Sequence, residues 1–369
     1  MDWITHAAVG AAVGEIMLGK RLGNLALAWG VLLGLAPDLL DGVVEWFLPT
    51  AASLAFHAGA SHSVLLAALL VFGLPRWLAL PLKRAKLPVP QFRWFIVVGW
   101  GVHWLVDCLS LPGVQVGWPV PVPAISFGLL GPGDAVPGIA LGIAILSLAF
   151  LRTKKEQPKR RRRWWWGVGL AGGYLALAVV AKWIVSTGIG GDLARRSVVC
   201  ERRMETPMPW NLLLWRSVVD CGDEVWIGYR SVFEWPSTPV RWTVFPRCRS
   251  AFADHAAAPE VRRLAAHSNG WWLARPNKTG LWLADLRSGE SRAWGVRKGM
   301  VDLRFDHAWH FEPQATGDPV HAIRPERRPI GEVAGRLLRR TFGQRAAWEA
   351  SPRLSGVPGA LPEPLRTED

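Results

Sequence analysis

At 369 residues the chain has room for a bundle of membrane helices and one further domain. Half of the residues are hydrophobic, 23 are Trp, and mean hydropathy is positive although the formal net charge is +14. Charge and apolar surface must therefore be segregated, which excludes an ordinary soluble domain, and four cysteines are too few for a disulfide framework.

In chain order, the first segment lacks a basic n-region and carries His6 and Glu15, so it reads as a retained helix rather than a cleaved signal peptide. Apolar segments follow one another at 3–18, 24–40, 62–82, 94–111, 134–151 and 164–186. Most approach the ~20 residues that cross the hydrocarbon core, and the first could instead be re-entrant or interfacial. The expected fold is a polytopic α-helical membrane bundle of about five to six spans over 1–186, followed by a small β-rich extramembrane domain. Connections carrying Lys20 and Arg21, then Lys83, Arg84, Lys86 and Arg93, then Arg152 to Arg163, alternate with 41–61 and 111–133, which hold no Lys or Arg. The positive-inside rule puts the basic connections in the cytoplasm, and six crossings put everything after residue 187 outside. Arg160 to Arg163 followed by Trp164 to Trp166 reads as a charge lock and aromatic belt rather than a binding site.

His6, Asp38, His57, His62, His103 and Asp107 sit at the ends of these apolar segments, where ionisable groups are costly and mark a function. Taken singly, each could be a hydrogen-bonded bundle residue or a helix cap. As a group, all fall on one side of the expected membrane. His103 and Asp107 are spaced i, i+4, so on a helix both project from one face and can reach one ion. His57 and His62 flank a Gly-containing turn that leads into a helix, which Ser63 could cap, and Pro37-Asp38-Leu39-Leu40-Asp41 adds carboxylates at a helix end. Imidazoles and carboxylates without thiolates suit Zn²⁺, or Mn²⁺ and Fe²⁺, with a coordination position left open for water.

These residues resemble a family of bacterial membrane-bound metal-dependent hydrolases sometimes described as LexA-regulated. The resemblance rests on Thr5-His6, Pro37-Asp38-Leu39-Leu40-Asp41, His57-Ala58-Gly59-Ala60-Ser61-His62-Ser63 and His103 to Asp107. It continues through Thr206 to Arg216 and Leu283 to Arg287. The order of ligand types is also similar to the zinc-dependent phospholipase C and single-strand nuclease superfamily. That similarity implies His6, Asp38, His62, His103 and Asp107 as metal ligands. Ala58 stands where the family has Arg, the second aspartate has slipped to Asp41, and no later His-x-x-x-Glu is present. The resemblance implies a bacterial inner-membrane protein, to which the spans and charge bias add a multi-pass topology with an external C-terminal domain.

After residue 187, Glu224 to Phe233, Trp271 to Ala274 and Gly280 to Ala284 read as strands of a β-rich domain over 187–312. Cys200, Cys221 and Cys248 fall there, and one disulfide could form among them, the pair being open. The segment 313–369 is a basic, Pro- and Arg-rich tail with a candidate helix over 331–349, either lipid-seeking or a solvated helix on the β-domain, flanked by segments expected to be disordered.

The function expected from these features is a membrane-bound metal-dependent hydrolase, holding a divalent metal, foremost zinc. It would act on a phosphoester or lipid-like amphiphile, with Asp38 as ligand or base and Asp41 in reserve. No nucleic-acid motif is present, and the oligomeric state is open. An ion-coupled transporter using the same His and Asp residues, or a non-catalytic scaffold with a degenerate site, are the alternatives. A proton relay would need ionisable steps distributed across the membrane, whereas these sit at one depth.

Overall fold

In a computed structural model of the chain the described residues are 2–120, 122–151, 154–292, 303–323, 330–349 and 366–368, without the side chains of 55, 57, 58, 154, 291, 292, 303, 304 and 366–368. The chain divides into two compact units, 1–47 with 56–178, and 48–55 with 179–369.

The first unit is helical. It contains α1 (Trp3–Leu22), α2 (Leu25–Glu45), a π-helical turn (Phe56–Ala60), α4 (Val64–Trp77), α5 (Ala79–Arg84), α6 (Val89–Cys108), α7 (Val136–Leu148) and the first part of α8 (Gln157–Arg195). The short α3 (Thr50–Ala55) belongs to the second unit. The expectation of five to six spans is overturned. Among the described residues only α2 and α8 are long and apolar enough to cross a membrane. Helices α4 and α7 are apolar but have 14 and 13 residues, about 20 Å at 1.5 Å per residue, against ~30 Å of hydrocarbon. The apolar run 62–82 is two helices that break at Leu78, not one span. Helices α1 and α6 reach 20 residues each, but α1 carries His6, Glu15, Lys20 and Arg21, and α6 carries Gln91, Arg93, His103 and Asp107. The sidedness derived by counting six crossings loses its basis with them.

Arg160, grouped by sequence with a solvated charge run, is 3% exposed. Its guanidinium donates to Glu15 of α1 at 2.7 and 2.5 Å, to Asn24 Oδ1, and to the carbonyls of Leu148 and Leu151. Asn24 donates to the Ala149 carbonyl and Arg163 to that of Ser147. The last turn of α7 thus has its open carbonyls satisfied by cations and an amide, as a helix C-terminus requires.

The second unit contains β1 (Arg202–Met208), β2 (Asn211–Asp220), β3 (Glu224–Ser231), β4 (Trp242–Pro246), α9 (Arg249–Ala253), α10 (Pro259–His267), β5 (Trp272–Asn277), β6 (Gly280–Arg292), β7 (Leu303–Phe311), β8 (Val320–Ile323), α11 (Ile330–Thr341), α12 (Ala346–Glu349) and β9 (Arg366–Glu368). Two antiparallel sheets result, ordered β1-β2-β3-β4-β9 and β5-β6-β7-β8. This is a sizeable domain, not a small appendage. Both sheets are covered on both faces. Along β2 and β3, Leu214, Val218, Val225, Ile227 and Tyr229 join Leu273, Leu286 and Phe305 in a core between the sheets. Trp215, Val219 and Trp226 point the other way, onto Ala181, Val185, Ile189 and Leu193 of α8. On the far face of the second sheet, Val261 and Leu264 of α10 and Ala51 of α3 pack on Trp272, Leu283 and Trp309. Over the candidate helix at 331–349 the structure has α11 and α12. Buried Leu337 and Trp348 join the inter-sheet core, while Leu338 and Phe342 are exposed. The flanking segments 324–329 and 350–365 lie outside the described residues.

Arg216, at the end of one motif singled out in the sequence, is 2% exposed and donates to Glu290 at 2.6 Å and to the Leu286 carbonyl. The Tyr229 hydroxyl also donates to Glu290. Burial and the charge of Glu290 push the carboxyl of nearby Asp306 up to about 7, against the opposing pull of Arg216. An unfolded Asp ionises near ~3.9, so between these values the folded chain holds a proton that the unfolded chain has released. The contribution of Asp306 to stability is then fullest below about pH 4 and falls as pH rises toward 7, at up to ~1.4 kcal/mol per pH unit. Asp306→Asn is expected to flatten this fall, as read by thermal unfolding of the purified protein across that range. An unchanged pH dependence would refute the assignment.

Candidate functional site

Helix α1 begins at Asp2, whose carboxylate accepts from Thr5 N at 2.8 Å and from the Thr5 hydroxyl at 2.6 Å. This N-cap fixes the first turn and with it His6. The chain reverses at Gly23 and Asn24, and α2 returns along α1. His6, Gly10 and Gly14 on one helix face Ala26, Gly30, Gly34 and Asp38 on the other, each set spaced by four. A Cβ at Gly10 would collide with the Gly30 carbonyl oxygen, at Gly14 with that of Ala26, and at Gly34 with that of His6. Backbone meets backbone along this stripe, as small residues four apart allow. His6 and Asp38 are its end rungs, so the close approach sets them against each other.

Helix α6 supplies His103 and Asp107 from one face, one and two turns beyond Gly99, where a Cβ would collide with Leu33 of α2. His62 comes just after the π-helical turn Phe56–Ala60, a geometry frequent at functional sites. Ser63 caps α4 by accepting from Leu66 N at 3.1 Å and donates to the Ala60 carbonyl at 2.8 Å. The Trp118 indole lies where a Cβ on Gly59 would be, which ties this turn to the 109–135 connection.

The side chains of His6, Asp38, His62, His103 and Asp107 converge. His6 Nε2 lies 3.0 Å from Asp107 Oδ1 and 3.9 Å from Asp38 Oδ2. His62 Nε2 and His103 Nε2 each lie 3.2 Å from Asp107 Oδ2, 3.0 Å from one another, and 3.8 and 4.0 Å from Asp38 Oδ1. The His6 and His103 rings stack with centroids 4.1 Å apart. All three histidines are at most 3% exposed. His103 Nδ1 lies 2.9 Å from the Gly34 carbonyl and His62 Nδ1 2.8 Å from the Ser61 hydroxyl. Donation from each Nδ1 would leave the Nε2 lone pairs facing inward. Asp41 faces the opposite edge of His62, with Oδ2 3.8 Å from Nδ1. Asp38, Asp41 and His62 nevertheless each offer a ligand atom within 4.8 Å of the others. The backbone of His57 lies in the π-helical turn, and its side chain lies outside those described.

The donor set fits a divalent cation. Ligands at ~2.0–2.1 Å around tetrahedral zinc lie roughly 3.3 Å apart, and the separations here bracket that value. His6 Nδ1 and Asp38 Oδ2 are buried without a hydrogen-bond partner, and the charged partners of Asp38 among the described residues are the three histidines. Sequence reasoning missed Ser61, the Gly34 carbonyl and the glycine stripe. The stripe was visible as small residues spaced by four.

Apolar helices, two of them long enough to cross a membrane, enclose a polar centre of buried histidines and aspartates. The chain belongs to the YdjM inner membrane protein family, whose model matches residues 1–185, half of the chain. That match includes every residue of the cluster. No curated protein and no solved structure matches the chain.

Gly34→Val is expected to force α1 and α2 apart and to lower the melting midpoint of the helical unit in detergent, by several kcal/mol of overpacking and lost helix contact. The transition of the β-domain should stay in place. Differential scanning fluorimetry with both transitions resolved tests this, and an unmoved helical transition would overturn the close-contact account.

Proposed function

We propose that this inner membrane protein is a metal-dependent hydrolase acting on a phosphoester or lipid-like amphiphile. The observation that carries the reading is the convergence of three imidazole Nε2 atoms with the carboxylates of Asp38 and Asp107 in a buried space. His6, His62, His103 and Asp107 would hold the ion, zinc first by donor type, with Asp38 as a further ligand or the base. When bound, a divalent cation supplies Lewis acidity and acidifies water toward neutral pH. The chain's own residues do the rest. Asp38, beside His6, His62 and His103, orients water and accepts its proton. Ser61 and the Gly34 carbonyl hold His62 and His103 in the tautomer that presents Nε2. Asp41 acts through His62 as a positioning residue. An inner-membrane setting favours amphiphilic substrates, which reach such a centre without leaving the bilayer.

Metal analysis of detergent-purified protein should find a divalent ion that is lost in His62→Ala and Asp107→Ala, together with hydrolysis of phospholipid vesicles or a soluble phosphodiester. Ser61→Ala should weaken metal affinity about 10–100-fold while leaving the fold intact. Binding should weaken as the medium is acidified, because a protonated ring has no lone pair to give. Metal-loaded protein that cleaves no ester, alongside a proton-coupled flux in vesicles abolished by Asp107→Asn, would favour the ion-coupled carrier.

We further propose that the β-domain is extracytoplasmic. Basic residues Lys154, Lys155, Lys159 and Arg161 to Arg163 crowd the N-terminal flank of α8, more than the Arg195, Arg196, Arg202 and Arg203 of its other flank. The positive-inside rule applied to this helix alone places its start in the cytoplasm and the chain beyond Arg195 outside. A cysteine placed at the exposed Val199 should react with a membrane-impermeant maleimide in intact spheroplasts. Labelling only after lysis would reverse the orientation.

A further inference from the structure

The three cysteines of the β-domain are not equivalent. Cys200 precedes β1 and Cys221 comes directly after β2, at the open end of the hairpin opposite its Pro209-Trp210 turn. The pairing of Arg202 with Asp220 and the bond from Glu201 N to the Asp220 carbonyl, 2.8 Å, draw these ends together. The two Sγ atoms lie 2.7 Å apart, ~0.7 Å from the ~2.05 Å of a covalent bond. Both side chains are partly buried on the α8-facing side of the first sheet, beside Val198 and Leu193. Cys248 packs with a different core, behind the second sheet, and its Sγ lies 3.9 Å from the Pro246 carbonyl.

We infer that Cys200 and Cys221 form a disulfide in the mature protein, with Cys248 left as a thiol. The bridge would pin the first residues after α8 to the end of β2 and close the hairpin where its strands have no further partner rows.

The oxidant required is a disulfide-bearing thiol oxidoreductase of the extracytoplasmic space. One cysteine, as thiolate, attacks a sulfur of the carrier disulfide and displaces the other as thiolate, giving a mixed disulfide. The second cysteine then gives up its proton, attacks the sulfur of its partner and releases the carrier as a dithiol. Two S–H bonds are broken and one S–S bond forms, and the two electrons leave on the carrier. Burial pushes both thiols above their ordinary range, so thiolate is scarce at neutral pH. That suits a bridge made once by an enzyme better than a pair that exchanges repeatedly. Formation in the cell rests on the extracytoplasmic placement proposed above, whereas the choice of pair rests on geometry alone.

Two measurements separate these supports. Full-length protein purified reduced in detergent is treated with oxidised glutathione and digested without reductant. The expected product is a peptide pair joining Cys200 to Cys221, lighter by two hydrogen atoms, present equally in Cys248→Ser and lost on reduction. A bridge involving Cys248, or no intramolecular bridge, overturns the pairing. In parallel, cells are treated with a permeant alkylating reagent before lysis. Cys200 and Cys221 should escape modification until reductant is added. If both are alkylated in cells although they pair in vitro, the disulfide of the mature protein is overturned together with the orientation, and the pairing geometry is not.

Discussion

The contact between the backbones of α1 and α2 is the constraint on which the helical unit depends. Ordinary side chains keep two helix axes ~8–10 Å apart, too far for two short side chains on facing stripes to meet over one point. Gly10, Gly14, Gly30 and Gly34 remove those side chains, and a Cβ at any of them would meet main-chain atoms of the opposite helix. The same periodicity of four that brings the glycines together carries His6 and Asp38 to the end of the stripe. A structural device and a chemical one are thus written in a single spacing. Gly99, His103 and Asp107 repeat the arrangement on α6, where Leu33 occupies the space above the glycine.

Burial makes the cluster demanding. Asp107 is 7% exposed and His6, His62 and His103 less, so the ionised form of any member must be stabilised by its neighbours or by a bound cation. The 3.0 Å between His62 Nε2 and His103 Nε2 sharpens this, since two donors or two lone pairs at that distance oppose each other unless a proton or a cation lies between. A transporter relay would spread such groups along a path through the bilayer. Here they form one compact knot in which each group lies within 4.0 Å of at least one other.

The second unit solves a different problem. Sheets covered on both faces need strands that are apolar in both directions, and β2 and β3 are buried almost end to end. Buried charges of the domain are paired: Arg216 with Glu290, Arg247 with Asp220 through contacts of 2.6 Å, and Arg287 with Asp285 at 2.6 Å. Such pairs destabilise strongly when one member is removed, so the Arg216 and Asp285-to-Arg287 motifs are understood as locks of the β-domain rather than parts of the site.

Several features were legible from residues alone. Ionisable groups in apolar segments drew attention to His6, Asp38, His62, His103 and Asp107, because such groups are costly wherever water is excluded. Alternating Val, Trp and Tyr between turn residues marked β3, β5 and β6. The number of spans was not legible, because an apolar helix buried in protein and one buried in lipid have the same composition. Only length and broken runs, such as the junction at Leu78 and the 13 residues of α7, separate them. Nor could sequence say that Arg160 leaves its basic run to bind Glu15, or that Asp41 approaches Nδ1 of His62 while Asp38 approaches Nε2. Spacing along a chain determines which face of a helix a residue occupies. Which faces meet, and which of three cysteines lies against another, depends on contacts between residues far apart in the chain, and these only the tertiary structure decides.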